Sequence, residues 1–233
     1  MRSFINWDIL KRIENSPREF IVQRNVALLN AFLFGYEDFF LQLENEEQLK
    51  EKYDSVPSLD EYALNKYCAD NIGTRNFKSV ISFICEDERN FFSKYLDFLK
   101  EYEQKHPIQE TVSYTLKNAL CTLKELLAGM RKRYPMYFGN YDISCLRAFL
   151  DGYFLCKKEY NIPFTTFDTK VREFTESIIC EDLNLTGEFV TWDRLYRYDR
   201  DWNAWGRISE ITAKEILEKF WIDLEKFTGE TID

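Results

Sequence analysis

The sequence predicts a mainly α-helical protein built as two related helical units packed together, with room for a few short strands. Three observations carry this. Apolar residues recur every three or four positions along most of the chain, the period of a helix with one buried face. Only 8 Gly and 5 Pro occur among 233 residues, too few for a turn-dense all-β design. One hexapeptide occurs almost twice: Ala31-Phe32-Leu33-Phe34-Gly35-Tyr36 and Ala148-Phe149-Leu150-Asp151-Gly152-Tyr153. Fixed-offset similarity is the mark of duplication, and the units are read as 1–105 and 106–233.

The elements follow in order. Trp7, Ile9, Leu10 and Ile13 predict a short opening helix that ends before Ser16-Pro17, because the residue before proline avoids the α region. Val22 to Leu43 is helical through Val26, Leu29, Leu33, Tyr36 and Phe40. Ser58-Leu59-Asp60-Glu61 is a capping box opening a helix to about Asp70, with Gly73 as its stop. Phe77 to Cys85 is a strand or a buried helix, since a short apolar run has no decisive period. Glu88 to Gln104 is helical, with Phe91, Phe92, Tyr95, Leu96, Phe98 and Leu99 on a wide apolar face.

After the break at Lys105-His106-Pro107, Thr111 to Arg133 reads as one long helix stopped by Tyr134-Pro135. Met136 to Gly139 reads as irregular. Ile143 to Tyr160 is a helix capped by Asn140 or Asp142. Asp168 to Cys180 follows, with Val171, Phe174 and Ile178 inward, and Thr191 caps a short helix. Ile208 to Thr228 closes the series, with Gly229 as the stop. No Asn-Gly or Asp-Gly turn separates two alternating strands; Asp151-Gly152 falls inside a helix.

The repeat extends past the hexapeptide. Leu29 matches Leu146 at the same offset of 117, and Pro17 and Phe20 match Pro135 and Phe138 at 118. Phe92, Leu96 and Leu99 match Phe220, Leu224 and Phe227 at 128. Ala and Gly four apart lie on one helix face and admit a close neighbour. A mid-helix glycine costs about 1 kcal/mol relative to alanine, so close packing is the reading that offsets it.

Charge and composition exclude several classes. Forty acidic against 31 basic residues give −9. Residues 1–105 hold 19 acids and 14 bases and 106–233 hold 21 and 17, so neither half is a basic nucleic-acid arm. No apolar run reaches the ~18 residues that cross a bilayer, and no secretory signal follows Met1-Arg2. The expectation is a cytoplasmic chain with reduced thiols. Cys68, Cys85, Cys121, Cys145, Cys156 and Cys180 are spaced 17, 36, 24, 11 and 24 apart. No C-x₂₋₄-C pair exists, so a zinc site has no support, and most are read as buried small hydrophobes. The single histidine, His106, reads as a solvated connection residue and rules out two-histidine metal sites. No phosphate-binding glycine loop, dinucleotide fingerprint or serine-hydrolase elbow is present. No catalytic, metal or cofactor site is assigned.

Tyr134-Pro135-Met136-Tyr137-Phe138-Gly139, then Leu146-Arg147-Ala148-Phe149-Leu150-Asp151-Gly152-Tyr153, Trp192 and the closing aromatic helix resemble a pattern in small bacterial proteins, some of which look like immunity proteins of polymorphic toxin systems. Here Tyr134 stands where that pattern has arginine, and the first unit lacks a glycine after Phe20. The resemblance implies a non-enzymatic, toxin-neutralising role with a protein partner, a cognate and basic toxin domain, and it brings no catalytic residues. Complementary charge steers such encounters. Two segments are the candidate contact surfaces. One is Glu86-Asp87-Glu88, which also suits a helix N-terminus. The other is the segment holding Tyr198, Asp199, Asp201, Trp202 and Trp205, rich in residues favoured at interface hot spots. Two other readings stand beside it: an enzyme using carboxylates in a helical cleft, with Asp151 the residue to watch, and a scaffold that dimerises through its aromatic surface.

Overall fold

The computed structural model describes residues 7–21, 24–43, 57–67, 77–85, 88–106, 122–181 and 210–233. Among them every regular element is helical. These are α1 (Trp7–Asn15), α2 (Pro17–Phe20), α3 (Val26–Leu43), α4 (Leu59–Tyr67), α5 (Phe77–Ile84), α6 (Glu88–Lys105), α7 (Leu123–Phe138), α8 (Ile143–Glu159), α9 (Thr166–Glu181) and α10 (Glu210–Thr228). The run from Phe77 is a helix, not a strand. Val80 and Ile81 are buried with Phe77 and Ile84 packed beside them, the i, i+3, i+4, i+7 set of one helix face.

Local chemistry fixes the element ends. Ser58 accepts from the Glu61 amide at 3.2 Å while Glu61 accepts from the Ser58 amide at 2.7 Å, so the predicted capping box opens α4. Asp142, not Asn140, caps α8: its Oδ1 accepts from the Ser144 amide at 3.0 Å. Gly229 stops α10 with φ 68°, a left-handed conformation that glycine adopts without a Cβ penalty.

The long helix expected from Thr111 is different. Thr122 is extended (φ −80°, ψ 159°) and forms a capping box with Glu125, so α7 starts at Leu123. Residues 107–121 lie outside the described ones. Nor does Pro135 stop α7. The backbone breaks at Arg133 (φ −139°, ψ 36°), then one more helical turn runs through Pro135 to Phe138 and ends on Gly139, φ 79°. A proline inside a continuous helix clashes with the carbonyl four residues back; the break at Arg133 removes that clash. Met136 to Phe138 are therefore helical rather than irregular.

The core joins both halves of the chain. α3 and α8 make the most extensive packing between elements. Residues 7–106 add α4 on α5, α5 on α6, and α1 and α3 on α6. Residues 122–233 add α9 on α10, α9 on α7 and α10 on α8. Between the halves, the principal contacts run through α2 and α3 on one side and α7 and α8 on the other. At the centre the two repeated glycines meet the opposite backbone. A Cβ on Gly35 would sit 2.0 Å from the Phe149 carbonyl oxygen, and one on Gly152 would sit 2.1 Å from that of Phe32. The close-approach reading of the hexapeptide is what the packing displays.

Candidate functional site

The hexapeptide side chains build the crossing. Ala31, Phe32, Leu33, Tyr36, Ala148, Phe149, Leu150 and Tyr153 are all buried. Phe32 stacks on Tyr36 and Phe149 on Tyr153, each pair with centroids 6.4 Å apart. Beyond the crossing, the two tyrosines reach polar groups. Tyr36 donates to Glu159 Oε2 at 2.7 Å, and Arg12 pairs with Oε1 of the same carboxylate. Tyr153 donates to Asp168 Oδ1 at 3.4 Å.

Asp168 also pairs with Lys157, and this ion pair is buried: side-chain exposure is 0% and 3%. Two charges removed from water require close mutual pairing and further hydrogen bonds. Asp168 has them. Its Oδ2 accepts from the Thr165 amide at 2.7 Å, and its own amide donates to Thr165 Oγ1 at 3.1 Å. Thr165-x-x-Asp168 is thus a capping box that opens α9 two residues before the expected start. The lysine lies over the rings of Tyr153 and Phe164, 5.4 and 5.6 Å from their centroids.

Two groups at this end of α8, the Tyr36 hydroxyl and the Cys156 thiol, are held in their protonated forms. Burial raises the Tyr36 hydroxyl well above its ordinary value, reinforced by its bond to Glu159. Burial likewise pushes the Cys156 thiol up. A thiol reacts as its thiolate, so Cys156 is a packing residue. Cys145 is buried too, as the sequence suggested, whereas Cys85 is half-buried. His106 departs from its solvated reading. It is half-buried at the end of α6, its ring 5.1 Å from that of Tyr102 and 5.8 Å from that of Tyr62.

A second polar cluster gathers α7, α9, α10 and the segment after it. Arg131 Nη1 bonds Glu225 Oε1 at 2.8 Å and the Ile232 carbonyl at 3.0 Å. The Ile232 amide donates to Glu225 Oε1 at 2.8 Å, and the Ile232 side chain is fully buried. Lys124 and Lys170 both pair with Glu230, at 3.1 and 3.3 Å. These partners lower the Glu225 carboxyl, chiefly through the Ile232 amide, and the Glu230 carboxyl, chiefly through Lys124. With Glu218 3.7 Å from Arg131 Nη2, the cluster sets three carboxylates against three cations and pins residues 229–233 to the helices.

The candidate contact residues are placed as follows. Tyr198, Asp199, Asp201, Trp202 and Trp205 lie outside the described residues, as do Glu86 and Asp87. Glu88 is the first residue of α6; its side chain is outside the description. Asp151 lies on α8, 41% exposed, and pairs with Arg147 one turn earlier at 3.3 Å. No group of three or more His, Cys, Asp or Glu able to hold a metal occurs among the described residues. None of the described helices is long and apolar enough to cross a membrane.

One surface feature was not singled out by sequence reasoning. In the Tyr134–Gly139 segment Tyr134 is buried, its hydroxyl donating to the Asp142 carbonyl at 2.7 Å. Met136, however, is 77% and Tyr137 39% exposed. Tyr137 packs against half-buried Phe34, ring centroids 5.8 Å apart and tilted by 45°. Exposed Lys132 and Arg133 precede them in α7. No local sequence pattern signals it: the break at Arg133 carries a proline turn outward, and its second and third residues face solvent. Comparison with family models, with curated proteins and with solved structures gives no match in any of the three.

Proposed function

We propose that the chain is a non-enzymatic immunity protein of the bacterial cytoplasm, which binds a cognate, basic toxin domain and neutralises it by covering its working surface. The observation that carries this reading is how the resembling segments divide between core and surface. Tyr134, Leu146, Ala148, Phe149, Leu150 and Tyr153 are buried and build the scaffold, whereas Met136 and Tyr137 stand exposed at its surface. Methionine and tyrosine are enriched at protein interfaces. A segment spent on packing and on an exposed apolar pair suits a protein that works by contact. The charge of −9 adds attraction for a basic partner and speeds encounter. The polar clusters at α8 and α10 are internally paired, which suits a rigid body that loses little entropy on binding.

The test is capture. The tagged chain is drawn from its native cell at moderate salt, and what stays bound is identified by mass spectrometry. A stoichiometric protein with a basic toxin-like domain is the expected result. No protein partner, with a small molecule or metal ion retained instead, contradicts the proposal and favours the enzyme reading. Two sets of substitutions then locate the contact face. Met136→Asp with Tyr137→Ala probes the exposed pair, and changes at Asp199, Asp201 and Trp202 probe the segment chosen from sequence. Unchanged affinity after either set removes that face.

A further inference from the structure

The correspondence between the halves is not confined to sequence. Asn25 precedes α3 and its Oδ1 accepts from the amide two residues on, Ala27, at 2.7 Å. Asp142 precedes α8 and accepts from Ser144, two residues on, at 3.0 Å. The capped helices begin at Val26 and Ile143, 117 residues apart. Before each lies a proline turn closed by the same bond. The Ile21 amide donates to the Pro17 carbonyl and the Gly139 amide to that of Pro135, both at 2.8 Å. The backbone leaves the helical region just before each turn, one residue ahead of Pro17 at Ser16 (φ −137°, ψ 63°) and two ahead of Pro135 at Arg133 (φ −139°, ψ 36°). The last aromatic of each turn meets the repeat phenylalanine edge-on: Phe20 on Phe32 at 5.8 Å, Phe138 on Phe149 at 6.3 Å.

The glycine contacts at the crossing are reciprocal as well. Gly35 faces the Phe149 carbonyl, and Gly152 faces the Phe32 carbonyl. In repeat terms, the glycine of each copy meets the phenylalanine of the other. The proline turn α2 packs on α8, and α7, which ends in the second proline turn, packs on α3. Residue i touching j while the equivalent of j touches the equivalent of i defines an isologous, two-fold interface.

We propose that residues 7–43 and 123–159 form an internal quasi-two-fold dimer, and that the turn-and-helix face of each half is self-complementary, its natural partner being a second copy of that same face. Self-complementarity follows from the geometry. The crossing uses a glycine and a carbonyl from each side, and both sides supply both. Only position 34 differs from 151 within the hexapeptide, Phe against Asp, and Asp151 is partly exposed and paired along its own helix. The two halves therefore descend from one unit that paired with itself, and a C-terminal half released from its neighbour pairs with another C-terminal half through Gly152 and Phe149.

The experiment starts from the full folded chain carrying a site-specific protease site within residues 107–121. After cleavage the sample is taken through a brief denaturant pulse and returned to buffer, and native mass spectrometry sorts the pairs by mass. The proposal expects the mixed pair together with a pair of two C-terminal halves, and Gly152→Leu weakens both, the C-terminal pair more because it carries the change on both sides. Mixed pairs alone, or separated halves, overturn it. Should the cut protein precipitate, the uncut chain still decides. Gly35→Ala and Gly152→Ala must lower Tm by similar amounts, and the double variant must fall well short of their sum, because either methyl separates the same two helices. Additive or grossly unequal shifts overturn the reciprocal crossing.

Discussion

At Gly152 a methyl group has nowhere to go: the Phe32 carbonyl and the Tyr36 amide lie at 2.1 and 3.0 Å from its position, and both are backbone. Alanine gains about 1 kcal/mol of helix propensity there, yet overpacking of this kind costs about 1–3 kcal/mol or more. Gly152→Ala should destabilise by about 2 kcal/mol net, read by thermal or denaturant unfolding; a neutral result would contradict the close crossing. The buried pair behaves differently. Lys157→Met leaves the buried Asp168 carboxyl without its cationic partner, and losses of about 3–5 kcal/mol are typical for one partner. Asp168 also closes the capping box of α9, so replacing both residues loses that cap and should not rescue fully. Acid exposes a third group. Glu101 accepts from Lys66, Lys105 and Tyr62, and these partners, Lys66 foremost, lower its carboxyl to about 2. A carboxyl lowered in the folded state stabilises fully above its unfolded value, about 4.3, and loses that contribution as pH falls towards 2. Glu225 and Glu230 act in the same direction. Tm should therefore drop between about pH 5 and 2, and Glu101→Gln should flatten part of that drop.

Among the elements, the long periodic helices were legible because a single amphipathic face sets their period. α3, α6, α8 and α10 carry their buried residues at the expected three- and four-residue steps. What misled was punctuation. Leu116, Leu120, Leu123 and Leu127 keep helical spacing across Thr122, which hid the box formed by Thr122 and Glu125. In the similar box at Thr165, Asp168 stands at the third helical position, where an acidic residue also reads as a cap of its own. Pro135 was read as a stop because proline breaks helices, but a break two residues earlier lets a turn follow it. Each box has a measurable value. Ser58→Ala and Thr122→Ala should each cost about 1 kcal/mol, and an unchanged unfolding midpoint would argue that the observed caps are not formed. The candidate site was less legible than the fold. The tilt of a proline turn decides that Met136 is exposed while Tyr134 is buried, and no local pattern encodes that. Lys157 did leave a trace, a charge one turn after Tyr153 on the buried stripe of α8, whose partner eleven residues on only the α8–α9 corner brings near.

At the scale of the molecule, the proposed role would leave packing and recognition separable. The repeated segments supply a tight, quasi-symmetric crossing at the centre, and the residues left at the surface are free to differ between partners. Specificity is a difference of affinities, so a scaffold of this kind can be redirected by surface change without disturbing the glycines. The most direct measurement is a growth assay with the basic domain that the tagged chain captures. That domain, expressed alone, should arrest growth, and co-expression of this chain should restore it. Restoration should fail when the contact face is altered by substitutions that leave Tm unchanged. Arrest that persists despite full expression of the folded chain would contradict the proposed role.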